Sequence, residues 1–272
     1  VHVTITGPPA GRREQLRQPR LAEVVAGVLR ERIVNGELGD GDLLPKQDEL
    51  IEEYRISRPT LREALRILEG EGLLVVRRGS VGGSVIRMPT SDESAYTFGL
   101  LLQSRRATIG DLATAIKHIE PITASLCAGR PDRASSVVPL LRANLAETEA
   151  ATADGPHFTA LSRQFHELLV RCCGNETLIV AFGALESLWS EQERQWAVRA
   201  ASEGVYPEER YRRNVLSAHV AVLEAIERGD AEAAGRLDGS HLQHSQRYTL
   251  EGSQDEVVRA TALRDGLRDL NP

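Results

Sequence analysis

Two sets of side chains in this sequence have the types and spacing to do chemistry. The first is Arg58, Arg62 and Arg66 in "SRPTLREALRILEGEGLLVVRRG". Positions i, i+4 and i+8 share one face of a helix, so three guanidinium groups line up. Such a face can enter a DNA major groove, where Arg bonds guanine O6 and N7 bidentately. It can equally be a solvated face with Glu63, Glu69 and Glu71 as partners. The second set is histidine. His166 in "ALSRQFHELLVRCCGN", His219 in "VLSAHVAVLEAIERGDAEAA", and His241 and His244 in "GSHLQHS" fall on three separate amphipathic patterns. Each pattern carries a histidine on or near its apolar side. Neutral imidazole is the commonest metal ligand, and helical bundles build metal sites from facing helices. The plain alternative is a set of singly bonded core or surface histidines. His2 and His157 have no constellation around them.

The elements around the arginines decide their reading. Residues 20–35 place Leu21, Val24, Val25, Val28, Leu29 and Ile33 at helical spacing, and Gly36 ends the run. A short helix fits 46–54, with Leu50 and Ile51 inward. Ser57 is then an N-cap, Pro59 sits in the first turn, and Leu61, Ala64, Leu65 and Leu68 form the buried stripe. "LLVVRR" reads as a strand, "GSVGG" as a turn and "SVIR" as the return strand. Helix, helix, turn, helix and hairpin make a winged helix-turn-helix. In that setting Arg58 and Arg62 face base edges and Ser57 and Thr60 suit phosphates. Arg77, Arg78 and the glycine turn lie along the backbone or minor groove.

Beyond a polar stretch at 89–95, the pattern is helical nearly throughout. Apolar stripes run over 96–103, 110–129, 137–151, 157–173, 177–200, 208–228 and 231–250, and Pro121 is placed to kink the second of them. The expected fold is mainly α: a winged helix-turn-helix at 20–88, then an all-α bundle of six or seven helices at 96–250. Tails occupy 1–19 and 251–272. Aromatic residues make up only 4% of the chain, so the cores must be rich in Leu, Val and Ala, as packed helices allow.

Net charge is −6, which opposes nucleic-acid binding by the chain as a whole. The charge is uneven, however. Residues 1–88 hold 14 Lys/Arg against 13 Asp/Glu, and the remainder 19 against 26. A reading head needs a local basic surface rather than a basic total. No apolar run of about 18 residues suggests a membrane span, and the N-terminus lacks a signal-peptide pattern. Cys127, Cys172 and Cys173 are odd in number and lack C-x-x-C spacing, which suits reduced thiols in a cytoplasm.

"LLPKQDEL", "SRPTLREALRILEGEGL" and "LVVRRGSVGGSV" together resemble the DNA-binding domain of GntR-type bacterial transcription regulators, over roughly residues 21–87. The resemblance implies base reading by Arg58 and Arg62, phosphate contact by Ser57 and Thr60, and Gly82 or Gly83 at the wing tip. The family's DNA-touching Arg at the start of the second helix is Asp48 here, with Lys46 two residues earlier as its substitute. "FHELLVRCCGN", "LSAHVAVLEAIERGDAEAA" and "SHLQHS" resemble the effector domain of the FadR branch, called FCD, over about 112–248.

That second resemblance implies a divalent metal, Zn²⁺ first, on His166, His219 and His241. The family's carboxylate ligand, one turn before His166, is Ser162. The Arg that meets an effector carboxylate, four residues before Glu120, is Ile116. Ser162, Ile116 and Glu120 thus mark the implied effector pocket. The effector expected is a small organic acid bound through the metal. The alternative is an acyl-CoA or a fatty or aromatic acid bound without metal. A homodimer on a two-fold-related double-stranded operator follows, with repression as the default. A metal-dependent hydrolase is the minor alternative. No H-E-x-x-H, paired carboxylates or nucleophile motif accompanies the histidines, and Glu167 points to another helix face, so no enzyme is expected.

Overall fold

The computed structural model describes residues 20–77, 83–88 and 91–260. The chain divides into two compact units, Val1–Pro89 and Thr90–Pro272. In the first, α1 (Leu21–Val34), α2 (Gln47–Tyr54) and α3 (Arg58–Gly70) precede the antiparallel pair β1 (Leu74–Arg77) and β2 (Gly83–Ile86). The break between α2 and α3 is tight because Arg55 turns through the left-handed region, at φ 51°. Ser57 caps α3, its Oγ accepting from the Thr60 amide at 3.3 Å. Leu61, Ala64, Leu65 and Leu68 then pack on Val25, Ala26, Leu29 and Ile33 of α1 and on Leu50 of α2.

Two details differ from the sequence expectation. Leu21, Val24 and Val28 lie on the open side of α1, each more than 40% exposed. And the turn-rich stretch before Pro45 joins the sheet. The Leu44 amide donates to Ser84 O at 2.8 Å, and the Ile86 amide to Asp42 O at 2.8 Å. The wing therefore has a third, one-residue edge at Leu43, which bridges Val85.

In the second unit eight helices are described: α4 (Ser91–Ser104), α5 (Ile109–Gly129), the single turn α6 (Arg133–Ser136), α7 (Val138–Ala150), α8 (Gly155–Cys172), α9 (Glu176–Ser202), α10 (Glu209–Arg228) and α11 (Ala231–Leu250). The one-turn α6 takes the count past the six or seven expected. The expected linker at 89–95 is mostly helix, because α4 begins at Ser91 and buries Ala95. The expected tail from 251 is folded as far as 260. There the Ile109 and Gly110 amides, orphans of the first turn of α5, donate to Glu256 O and Gln254 O at 2.8 and 2.9 Å. Val258 and Ala260 are fully buried. The expected tails at 1–19 and 261–272 lie outside the described residues, as does His2.

The bundle's tightest approach joins α5 and α11. A Cβ built on Gly235 would stand 2.3 Å from Ser125 Oγ and 2.9 Å from Pro121 O. Only the absence of a side chain lets the two backbones come this close, and Ser125 Oγ donates across the gap to Ala231 O at 2.8 Å. Pro121, which has no N–H to give the preceding turn, faces Gly239 on the same seam. This seam carries Glu120, Asp238 and His241 into one region of the core. Gly235→Ala should overpack it and cost about 2 kcal/mol, lowering the thermal midpoint of the helical unit by roughly 5 °C. Scanning calorimetry of the variant against the wild type measures the shift.

Candidate metal and effector centre, and the reading head

Four helices each deliver part of a buried polar centre. His166 from α8, His219 from α10 and His241 from α11 turn their Nε2 atoms together, with His219 Nε2 3.1 Å from His166 Nε2 and 3.0 Å from His241 Nε2. Tetrahedral ligands about 2.0–2.1 Å from one ion stand roughly 3.3 Å apart, so the spacing fits a shared cation. It fits hydrogen bonding poorly: a single proton on His219 Nε2 can serve only one of its two neighbours. Phe165 stacks on the His219 ring with centroids 4.3 Å apart and fixes its plane. Glu120 from α5 takes His166 Nδ1 in a very close hydrogen bond. With Glu120 ionised, that bond puts the His166 proton on Nδ1 and leaves the Nε2 lone pair free for a metal.

Burial sets the protonation states. Desolvation holds all three imidazoles below their usual range, His241 at about 3, so they are neutral, as metal ligands must be. The same desolvation pushes Glu120 up to about 7 and Asp238, with Glu120 beside it, well above the usual carboxylate range. Glu120 Oε2, both Asp238 oxygens and His219 Nδ1 have no hydrogen-bond partner. Orphans at this density are costly in a protein interior. A cation is the kind of group that offsets them, and the donor set fits one.

Of the residues expected to line an effector pocket, Glu120 joins this centre. Ser162 lies one turn before His166 and is buried, without a hydrogen bond to any of the histidines, and Ile116 is buried in apolar packing. Four charged groups were missed: Asp238, described above, and Arg163, Glu186 and Glu193. Arg163 is only 2% exposed, with its guanidinium held by Glu186 in a very close pair, by Glu193 at 3.3 Å and by Ser190 Oγ at 3.4 Å. Thr249 Oγ1 donates to Glu193 at 3.2 Å. Glu186 and Glu193 stand seven apart on α9, so a charge recurring at an inward helical position was the available signal. A cavity of about 610 Å³ opens between α10 and α11, with His241, Tyr211, Tyr248, Leu237 and Arg247 among its walls.

Of the remaining described histidines, two bond locally. The ring Nδ1 atoms of His118 and His244 contact Thr114 O and Ser240 O, and His157 is exposed. Glu167 faces Arg194 at 3.8 Å on the surface, away from the centre. Cys127, Cys172 and Cys173 are buried free thiols, and burial pushes Cys127 and Cys172 up, away from the reactive thiolate.

In the first unit Arg58, Arg62 and Arg66 are exposed along α3, and Ser57 and Thr60 share a hydroxyl contact of 2.8 Å at its start. Lys46 is exposed at the N-terminus of α2. Asp48 pairs with Arg58 at 2.7 Å, so an acid from α2 holds one of the three aligned arginines. Gly83 opens β2. Arg78 and Gly82 lie outside the described residues, and of Arg77 only the backbone in β1 is described.

Comparison with known proteins agrees with both units. Residues 21–82 match the family described as bacterial regulatory proteins, gntR family, and residues 111–244 match the FCD domain. The HTH-type transcriptional repressor NanR of Klebsiella aerogenes is 26% identical over 85% of this chain and 86% of its own length. That of Salmonella schwarzengrund is 27% identical over 91% and 92%. Among solved structures, Streptococcus agalactiae GntR superposes with a TM-score of 0.63 at 25% identity, covering 83% of this chain and 99% of that one.

Arg163→Leu should strand Glu186 and Glu193 and cost about 3–5 kcal/mol at neutral pH. Stranded carboxylates titrate higher in the folded than in the unfolded chain. Their contribution is then complete at low pH and is lost as pH rises through the folded value. Denaturant titrations at pH 5 and pH 8 should therefore find the larger defect at pH 8.

Proposed function

This chain belongs to the GntR family of bacterial regulators and carries an FCD effector domain, and from that premise we propose how its residues regulate transcription. The class is a DNA-binding, ligand-responsive transcriptional regulator, not an enzyme. Within it, our reading is a repressor that acts as a homodimer in the cytoplasm on a two-fold-related operator. The observation that carries the DNA half is α3: a Ser57-capped N-terminus with Arg58, Arg62 and Arg66 exposed on one face. Arg58 and Arg62 read base edges, Ser57, Thr60 and Lys46 meet phosphates, and Arg77, Arg78, Gly82 and Gly83 form the wing contact.

In the bundle, His166, His219 and His241 hold a divalent ion, Zn²⁺ by ligand type, with Glu120 orienting His166. When bound, the ion supplies a positive centre for the carboxylate of a small organic acid. The acid enters beside His241, where Tyr211 and Tyr248 offer apolar walls and Arg247 a cation. The alternative, a larger fatty or aromatic acid or an acyl-CoA without metal, draws on the same apolar walls. Either ligand shifts operator binding only by preferring one arrangement of the protein over another.

The test is an anisotropy titration with DNA from upstream of the protein's own gene. Arg62→Ala should weaken specific binding by roughly 10–100-fold. Asp48→Ala should strengthen it, because it frees Arg58 and removes an acid near the phosphates. Equal affinity of wild type and Arg62→Ala on this DNA would sink the proposal.

A further inference from the structure

Position 162, one turn before His166, is a serine where the family resemblance implies a carboxylate, yet the core is not short of carboxylates. Asp238 lies on α11, three residues before His241, and is fully buried. Neither of its oxygens has a hydrogen-bond partner. Its Oδ1 stands 3.9 Å from His166 Nδ1. Glu120, His166 and Asp238 offer ligand atoms within 4.8 Å of one another. His166 is therefore two-sided. Its Nε2 faces the other histidines, and its Nδ1 faces two carboxylates.

The charge balance asks what Asp238 is for. The buried guanidinium of Arg163 is taken up by Glu186, Glu193 and Ser190. Among the described residues no donor bonds Asp238, and Arg163, whose charge also acts on it, is already paired. A buried carboxylate next to a second one, with no donor on either oxygen, is retained at a cost. The α5–α11 seam, held close by Gly235, sets it there next to Glu120.

We infer that Asp238 supplies the negative charge of the cation site, acting from the Nδ1 side of His166 together with Glu120, in place of the carboxylate that position 162 lacks. Asp238 is a positioning residue. It strengthens His166 as a ligand through the ring and offsets the charge of the ion from behind it, as outer carboxylates do for metal-bound histidine. The inference rests on the reading of the histidine trio as a cation site.

The experiment uses the full chain, stripped with chelator, and follows Zn²⁺ affinity by competition with a chromophoric chelator and the thermal midpoint with and without Zn²⁺. Asp238→Asn replaces a buried carboxyl that has no donor on either oxygen by an amide of the same shape that cannot take up negative charge. It should raise the midpoint of the metal-free protein while weakening Zn²⁺ binding by roughly 10–100-fold. Ser162→Asp added to that variant should restore affinity. If wild type binds one Zn²⁺ and Asp238→Asn binds it equally well, Asp238 is only a buried orphan and the assignment falls, while the histidine site stands. If wild type takes up no Zn²⁺, the cation reading itself falls and this inference with it. Should Asp238→Asn fail to fold, Ser162→Asp alone decides. A gain under tenfold fits a site already supplied with a carboxylate, and a gain of tenfold or more contradicts it.

Discussion

The helical unit is organised around charge that has been taken out of water. Glu120, Glu186, Glu193 and Asp238 are all buried, and Arg163 is the buried guanidinium that faces them. Enclosing such a group unpaired costs several kcal/mol. The bundle can hold this set only if positive charge, protons or both enter with it. Three neutral imidazoles with converging Nε2 atoms stand where a cation would sit. Because the centre is assembled from α5, α8, α10 and α11, whatever occupies it bears on the packing of four helices together. That is the physical opening for a ligand to act on the rest of the molecule.

The reading head obeys a different electrostatics. Its arginines are in water, where the Arg58–Asp48 pair is screened and contributes little to folding. The role proposed for them appears only against a phosphate surface, where counterion release dominates. On the proposed reading, Asp48 holding Arg58 bears on binding rather than on stability. The acidic balance of the remaining chain keeps the basic surface local.

Much of this was legible in the sequence, and what was not has physical reasons. The cap at Ser57, the α3 stripe and the hairpin follow from spacing, because helix and strand periodicities are local, whereas spacing placed four histidines on apolar stripes and only the family resemblance picked His166, His219 and His241. The one-residue edge at Leu43 was missed because a single bridge has no period. In α1, apolar residues at 21, 24, 25, 28, 29 and 33 cover more than half a turn, so spacing alone could not say that Val25, Leu29 and Ile33 face the core. Residues 251–260 looked like tail because their polar side chains hide a backbone role, closing the first turn of α5. Arg163, Glu186 and Asp238 were passed over because charged residues are rarely buried. Only the tertiary arrangement shows that they face one another.

The metal-assisted function proposed for the bundle, and with it the role of Asp238, depends on the histidine trio being a cation site. That is tested most directly by titrating Zn²⁺ into chelator-stripped protein in a calorimeter, for wild type and for His219→Ala. The account predicts one equivalent bound per chain by the wild type and loss of that binding in the variant, whose ring stands between the other two. No saturable uptake by the wild type, or equal uptake by His219→Ala, would contradict it.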